Sequence, residues 1–393
     1  MKNASENTES SSEQLTSSLT EQSEESEQAK IWATPPKKTL GVGQWVLCLL
    51  LLFLLAGGAI GWQVYSFLSS PGSLPARDVE VTIAPGTSFG VLTAELFKLG
   101  AVRDENKFGI LARWTEQATS IKSGRFRVNT GWTPKKVLDQ LINGTPLLDR
   151  VTIPEGLTWW ETGKRLEEAR LVRFEDFKAV VHDPEFLRFW GIPFANAEGF
   201  LFPDTYLLMR PLELNDASAR IIVGRLIDTF WRRTAMLWPN GKRPGPNKGN
   251  QVRDLVTMAS IVEKETHIPD ERSRVSGVYA NRLRTGMLLQ ADPTIAYGVG
   301  ETFKAPIRRS QLDDAGNLYN TYKHKGMPPG PICSPGLSCL RAAFQPEAHA
   351  FFYFVARGNG THAFSATLAE HNLAVRTYKE QKEKGQKEQG ADE

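Results

Sequence analysis

An apolar helical stretch, Thr-Met-Ala-Ser-Ile-Val-Glu-Lys-Glu-Thr (257–266), ends on two carboxylates, Glu263 and Glu265. On a helix, positions three, four and seven back share a face. For Glu265 these are Val262, Ile261 and Met258, all bulky and apolar. For Glu263 they are Ser260, Ala259 and Val256, which are smaller and more polar. Glu265 is therefore the better candidate for a desolvated carboxyl with a raised pKa, as a general acid at neutral pH requires. A buried Glu satisfied by a backbone or Arg partner would give the same pattern.

Other chemistries find less support. Glu263, Glu265 and His267 are close in sequence, but residues two apart on a helix point in nearly opposite directions. His-Glu-x-x-His is absent, so no metal and no cofactor is expected. His349, His362 and His371 are scattered through a later segment and suit hydrogen bonding in a core or cleft. No Gly-x-Ser-x-Gly occurs, Ser334 has no recognisable base nearby, and Cys333 lacks a cysteine-protease signature. A glycosidase would normally need a second carboxylate, for which Glu198 and Asp292 are available.

The elements that must position these residues begin with an anchor. Residues 1–39 are rich in Ser, Glu, Gln and Thr and are expected to be a disordered cytoplasmic segment. Residues 40–68 carry no charge, with Trp45, Trp62 and Tyr65 near the ends, as in a transmembrane helix. Lys30, Lys37 and Lys38 precede this span and the first charge after it is Arg77. The positive-inside bias then puts the N-terminus in the cytoplasm and the rest outside. The run is long and starts far into the chain, which favours an uncleaved anchor over a signal peptide. The net charge of +3 over 393 residues, without a basic motif, gives no sign of nucleic-acid binding.

Beyond the anchor a weak repeat appears. Val81-Thr-Ile-Ala-Pro-Gly-Thr-Ser-Phe recurs as Val151-Thr-Ile-Pro-Glu-Gly-Leu-Thr-Trp. Each copy predicts a strand, a Gly turn and a helix capped by Ser88 or Thr158. A strand over 123–128 and a helix from Thr133-Pro134 to Gly144 complete a small α/β module of two strands and two helices, residues 78–149. A larger mixed domain is expected over 150–378. It would hold a helix over 252–266, a second from Pro269 to Gly286, then a polar loop, and an apolar strand over 350–355 of the kind buried in a sheet. A charged tail, 379–393, is expected to fray. Cys333 and Cys339 could close a small disulfide loop outside the cytoplasm or stay as two free or buried thiols.

The motifs form a series: Glu-Gly-Phe-Leu-Phe-Pro-Asp-Thr-Tyr (198–206), Ala-Ser-Ile-Val-Glu-Lys-Glu-Thr (259–266) and Asn-Arg-Leu-Arg-Thr-Gly-Met-Leu-Leu-Gln-Ala-Asp-Pro-Thr (281–294). Tyr-Asn-Thr-Tyr (319–322), Gly-Met-Pro-Pro-Gly-Pro-Ile (326–332), Tyr-Phe-Val (353–355), His-Ala-Phe-Ser (362–365) and Glu-His-Asn (370–372) follow. Together they closely resemble the YceG-like family, the endolytic murein transglycosylases called MltG. The resemblance runs from the membrane span to about Tyr378 and leaves out residues 1–39. Cys333 and Cys339 are not part of the family pattern.

The resemblance implies an α+β ectodomain on a single N-terminal transmembrane helix, with a LysM-like peptidoglycan-binding module and a YceG-like catalytic domain. It implies a lytic transglycosylase of the inner membrane, facing the periplasm. Such an enzyme cleaves the MurNAc–GlcNAc β-1,4 bond of nascent glycan strands without water, leaves 1,6-anhydro-MurNAc ends and limits strand length. The family's catalytic acid falls on Glu265. Gln290, Asp292, Thr294, Asn320, Tyr322 and Glu198 are expected to line the glycan groove as polar loop residues. Loop-holding hydrogen bonds are the other reading for each. Expected partners are glycan strands, the membrane and peptidoglycan synthases. Two alternatives are a non-catalytic peptidoglycan-binding scaffold for wall assembly and a hydrolytic muramidase.

Overall fold

The computed structural model describes residues 41–245 and 249–389, so the segment expected to be disordered, 1–39, lies outside the described residues. Residues Val42–Ser69 form one helix, α1, with no buried residue. It is long and apolar enough to cross a membrane. At about 1.5 Å per residue it exceeds the roughly 30 Å of a bilayer's hydrocarbon core. Cys48 is exposed on it.

Residues from Pro71 onward form a separate, mixed α+β unit. Its first part orders β1 (Asp78–Ile83), α2 (Phe89–Lys98), α3 (Glu105–Trp114), β2 (Gly124–Asn129) and α4 (Pro134–Asn143). The strands pair antiparallel, with Val81 opposite Phe126. Alternation puts Val81, Ile83, Phe126 and Val128 inward, against Leu92, Leu96, Phe108, Val137 and Leu141. The module has three helices, not two. α3 escaped the sequence reading because its apolar face is only Phe108, Leu111 and Ala112, in a charged ten-residue stretch capped by Asp104.

The second copy of the repeat repeats the geometry. β3 (Asp149–Ile153) pairs antiparallel with β4 (Asp204–Leu208), and α5 (Trp159–Glu168) follows β3. Ser88 and Thr158 both cap their helices, and Thr158 forms a full capping box with Glu161. Gly86 and Gly156 hold matching left-handed turns, with φ of 78° and 80°. Between and after these strands come α6 (Phe174–Val181), α7 (Pro184–Phe189) and α8 (Asp216–Arg233).

Next along the chain come α9 (Gly249–Glu265), α10 (Arg272–Arg284), α11 (Asp292–Val299), α12 (Arg309–Leu312) and α13 (Leu337–Phe344). A continuous core starts at Val151 and runs through α9, with Val256, Ala259, Ile261 and Val262 fully buried. The Gly156 turn docks on the end of α9: the Lys264 ammonium donates to Gly156 O (3.2 Å). Gly156 N donates to Ser334 O (2.9 Å), and Ser334 N to Leu157 O (2.7 Å). The repeated turn thus fixes the carboxylate-bearing end of α9.

At the C-terminus β5 (Tyr353–Ala356) and β6 (His362–Ser365) form a two-stranded hairpin under α14 (Leu368–Gln389). The 350–355 stretch is therefore half-buried rather than enclosed in a sheet. Its apolar run packs on α10 from one side, as where Tyr279 meets Phe354 edge-on at 5.9 Å. The segment expected to fray from 379 continues α14 to Gln389. Cys333 and Cys339 are both buried and unpaired, and the Cys333 thiol donates to Ser260 O (3.3 Å).

Candidate active site

Both carboxylates of α9 are sheltered, which the helix-face argument did not foresee for Glu263. Glu263 is only 5% exposed. Its Oε2 accepts from Gly336 N (2.9 Å), at the N-terminal cap of α13, where a negative charge is favourable. Glu265 differs in lacking such a partner. Its Oε1 is buried with no hydrogen bond among the described residues. An ionised oxygen is costly there, whereas a protonated carboxyl is tolerated. Burial raises the Glu265 pKa to about 7. The Asp292 carboxylate pushes the same way, while the Tyr279 hydroxyl and the Arg282 guanidinium pull against it.

Glu265 opens onto a polar cleft of about 450 Å³. α10 supplies Tyr279 and Arg282 to it, the loop before α11 Gln290, and the first turn of α11 Asp292. Tyr322 closes one wall and donates its hydroxyl hydrogen to Asp292 Oδ1 at 2.5 Å. The hairpin and α14 close the other wall with Tyr353, Phe354, Leu368, His371 and Asn372. Arg282 is pinned rather than free: Nε donates to Phe352 O (2.7 Å) and Nη1 to Leu289 O (2.5 Å). Its desolvation lowers its pKa. Gln290 sits at φ 53°, a left-handed conformation that costs a non-glycine residue energy. Such strain often marks a functional loop.

The seven residues singled out in the sequence divide. Glu265, Gln290, Asp292 and Tyr322 share the cleft. Thr294, Asn320 and Glu198 are each 0% exposed and do not reach its wall. Thr294 bonds Ala291 O and the Thr321 hydroxyl. Asn320 Nδ2 reaches the carbonyls of Gln311, Leu312 and Asp314, and its Oδ1 accepts from Tyr322 N. Glu198 accepts from Trp159 N (3.0 Å) at the start of α5 and from Gly199 N (3.3 Å). Its burial lifts its pKa to about 8 despite those bonds. Asp292 and Thr294 also lie in the first turn of α11, not in a loop.

The sequence reading gave no role to Tyr279, Arg282, Tyr353 or Asn372, and to His371 only a general core or cleft role. Arg282, Tyr353, His371 and Asn372 belong to the motif series and Tyr279 lies just ahead of one motif, but nothing local tells a cleft residue from a core one. No three His, Cys, Asp or Glu side chains among the described residues are arranged to hold a metal ion. What the cleft offers is one neutral-leaning acid, one nearby carboxylate tied to a tyrosine, and aromatic and amide groups suited to a sugar.

Comparison with known proteins is consistent along most of the chain. The sequence profile of the YceG-like family matches residues 81–377. The chain is 27% identical over 315 residues to the endolytic murein transglycosylase of Bacillus subtilis, covering 76% of this chain and 84% of that protein. It is 26% identical over 336 residues to the Streptococcus pneumoniae protein of the same name, covering 78% of this chain but only 59% of its relative. A crystal structure of a Listeria monocytogenes protein described as yceG-like aligns at 26% identity and a TM-score of 0.49, over 76% of this chain and 99% of that one.

Proposed function

The chain belongs to the YceG-like family, and from that premise we propose that it is an endolytic murein transglycosylase whose single acid–base residue is Glu265. Protonated Glu265 donates to the glycosidic oxygen as the bond from MurNAc C1 breaks. The carboxylate left behind takes the proton from the same sugar's 6-hydroxyl, and O6 bonds to C1 to close the 1,6-anhydro ring. No water is consumed, and the carboxyl ends as it began. A pKa of about 7 suits both halves, because the group is protonated often enough to act as acid and is a useful base once ionised. The observation that carries the reading is the buried, unpartnered Glu265 oxygen on the floor of a polar cleft.

Gln290, Asp292 and Tyr322 are the residues proposed to contact glycan. Glu198, Thr294 and Asn320 act by holding the surrounding backbone. The division into a module over 78–149 and a catalytic domain over 150–378 belongs to the same proposal. In the module, Trp114 is 80% exposed and Phe97 51%, which suits stacking on sugar faces and supports a LysM-like glycan-binding role. α1 would anchor the protein in the inner membrane with its N-terminus in the cytoplasm and the ectodomain in the periplasm. Peptidoglycan synthases would be its neighbours there. Cutting nascent strands at the membrane would limit their length.

Mass spectrometry of soluble products from purified peptidoglycan tests the assignment. Wild type should release anhydro-ended fragments, and Glu265→Gln should lower the rate by at least about a hundredfold, the scale of general acid–base catalysis. Reducing-ended fragments would instead mean a muramidase. That reading has one observation in its favour, the second carboxylate Asp292 in the same cleft. Binding without cleavage by either protein would mean a scaffold.

A further inference from the structure

We propose that His371 is held as its neutral Nε2–H tautomer and donates that hydrogen to the acetamido carbonyl oxygen of the sugar bound beside Glu265. This deepens the transglycosylase reading and rests on it. His371 lies on α14 and lines the Glu265 cleft. Its ring stacks on Tyr353 at 5.2 Å and 25°. Nδ1 is buried and has no hydrogen-bond partner among the described residues. A proton placed on Nδ1 would leave a buried N–H unpaired, which costs more than an idle lone pair. The imidazolium would carry the same unpaired N–H, and burial and the Arg282 guanidinium both oppose its charge. The proton therefore sits on Nε2, the ring nitrogen that is not sealed in.

Two of the other donors around the cleft are engaged. The Tyr322 hydroxyl is spent on Asp292. Arg282 is spent on the carbonyls of Phe352 and Leu289. A donor without acceptor capacity at this edge, Nε2–H, calls for an oxygen acceptor on the ligand. Both sugars of a murein strand carry an acetamido group, whose amide oxygen is a better acceptor than the neighbouring hydroxyl and ether oxygens. His371 is thus a substrate-binding residue that reads the N-acetyl group.

The test uses the full-length protein in detergent and two substrates, N-acetylated glycan and the same glycan chemically de-N-acetylated. Wild type should favour the acetylated form by about threefold to tenfold in kcat/KM, the size of one neutral hydrogen bond. His371→Phe keeps an aromatic ring on Tyr353 but has no donor. It should lose that factor on acetylated glycan alone, so that the preference disappears. His371→Gln, whose amide N–H can approach the Nε2 position, should recover part of it. If His371→Phe unfolds, His371→Asn, too short to reach, takes its place. Equal losses on both substrates, or a preference that survives loss of the donor, would overturn the assignment. Absence of anhydro products from wild type on acetylated glycan would instead sink the transglycosylase reading, and this assignment with it.

Discussion

Glu198 and Glu265 are both lifted by burial, to about 8 and about 7, yet their oxygens meet different surroundings. Glu198 is bonded to two backbone N–H groups and sealed off, whereas Glu265 borders the cleft with one oxygen unpaired. Glu198→Gln should therefore retain most activity, because a neutral amide can still accept from Trp159 N. Glu198→Ala should cost roughly 1–3 kcal/mol in a denaturant titration by stranding that N–H. The acid role proposed for Glu265 sets a pH dependence: kcat/KM should fall as pH rises through about 7, with one ionisation. Stability follows the same sign. The folded pKa lies above the ordinary value of 4.5, so stability is full below about 4.5 and declines as pH rises to about 7. Glu265→Gln has no such proton to lose. It should be more stable than wild type at pH 8, by up to roughly 3 kcal/mol, and little different at pH 4. Melting curves at both values check this. Glu265 stood out in the sequence because i, i+3, i+4 neighbours are local, whereas the sheltering of Glu263 depends on Gly336, over seventy residues away, and was invisible there.

At the scale of elements, local chemistry carried well and tertiary placement did not. Both copies of the strand, Gly turn and capped helix were legible because caps and left-handed glycines act within a few residues. Ala-Asp-Pro-Thr read as loop, but proline is at home in a first helical turn, and that is where Pro293 sits. Whether a polar residue faces a groove or a core needs the partner element. Asn320 is the instructive case, since its amide ties three carbonyls of the preceding segment to the backbone of Tyr322. Asn320→Ala should cost roughly 1–3 kcal/mol. It should also lower kcat/KM by about tenfold to a hundredfold, because Tyr322 and its bond to Asp292 lose their footing. Comparing activity at a temperature where the variant is fully folded separates the two effects. A variant that is less stable but fully active would show that the Tyr322 wall is dispensable.

For the whole molecule, the apolar helix α1 and the chain from Pro71 belong to two compact units. Among the described residues, those lining the Glu265 cleft all come from the chain after Pro71. A protein lacking residues 1–70 should therefore melt at the same temperature as the full chain in detergent and cleave purified glycan in solution at the same rate. As the proposed anchor, α1 should matter only where substrate is itself held at a membrane. A tether turns encounter into an intramolecular event with an effective concentration that reaches the millimolar range for short linkers. On glycan still attached to lipid in vesicles, the full chain should then outpace the truncated protein, and an unrelated transmembrane helix in place of α1 should restore the difference. Equal rates on both substrates would mean that α1 does not tether the enzyme to its substrate. A truncated protein slow on both would mean that α1 shapes the catalytic unit itself.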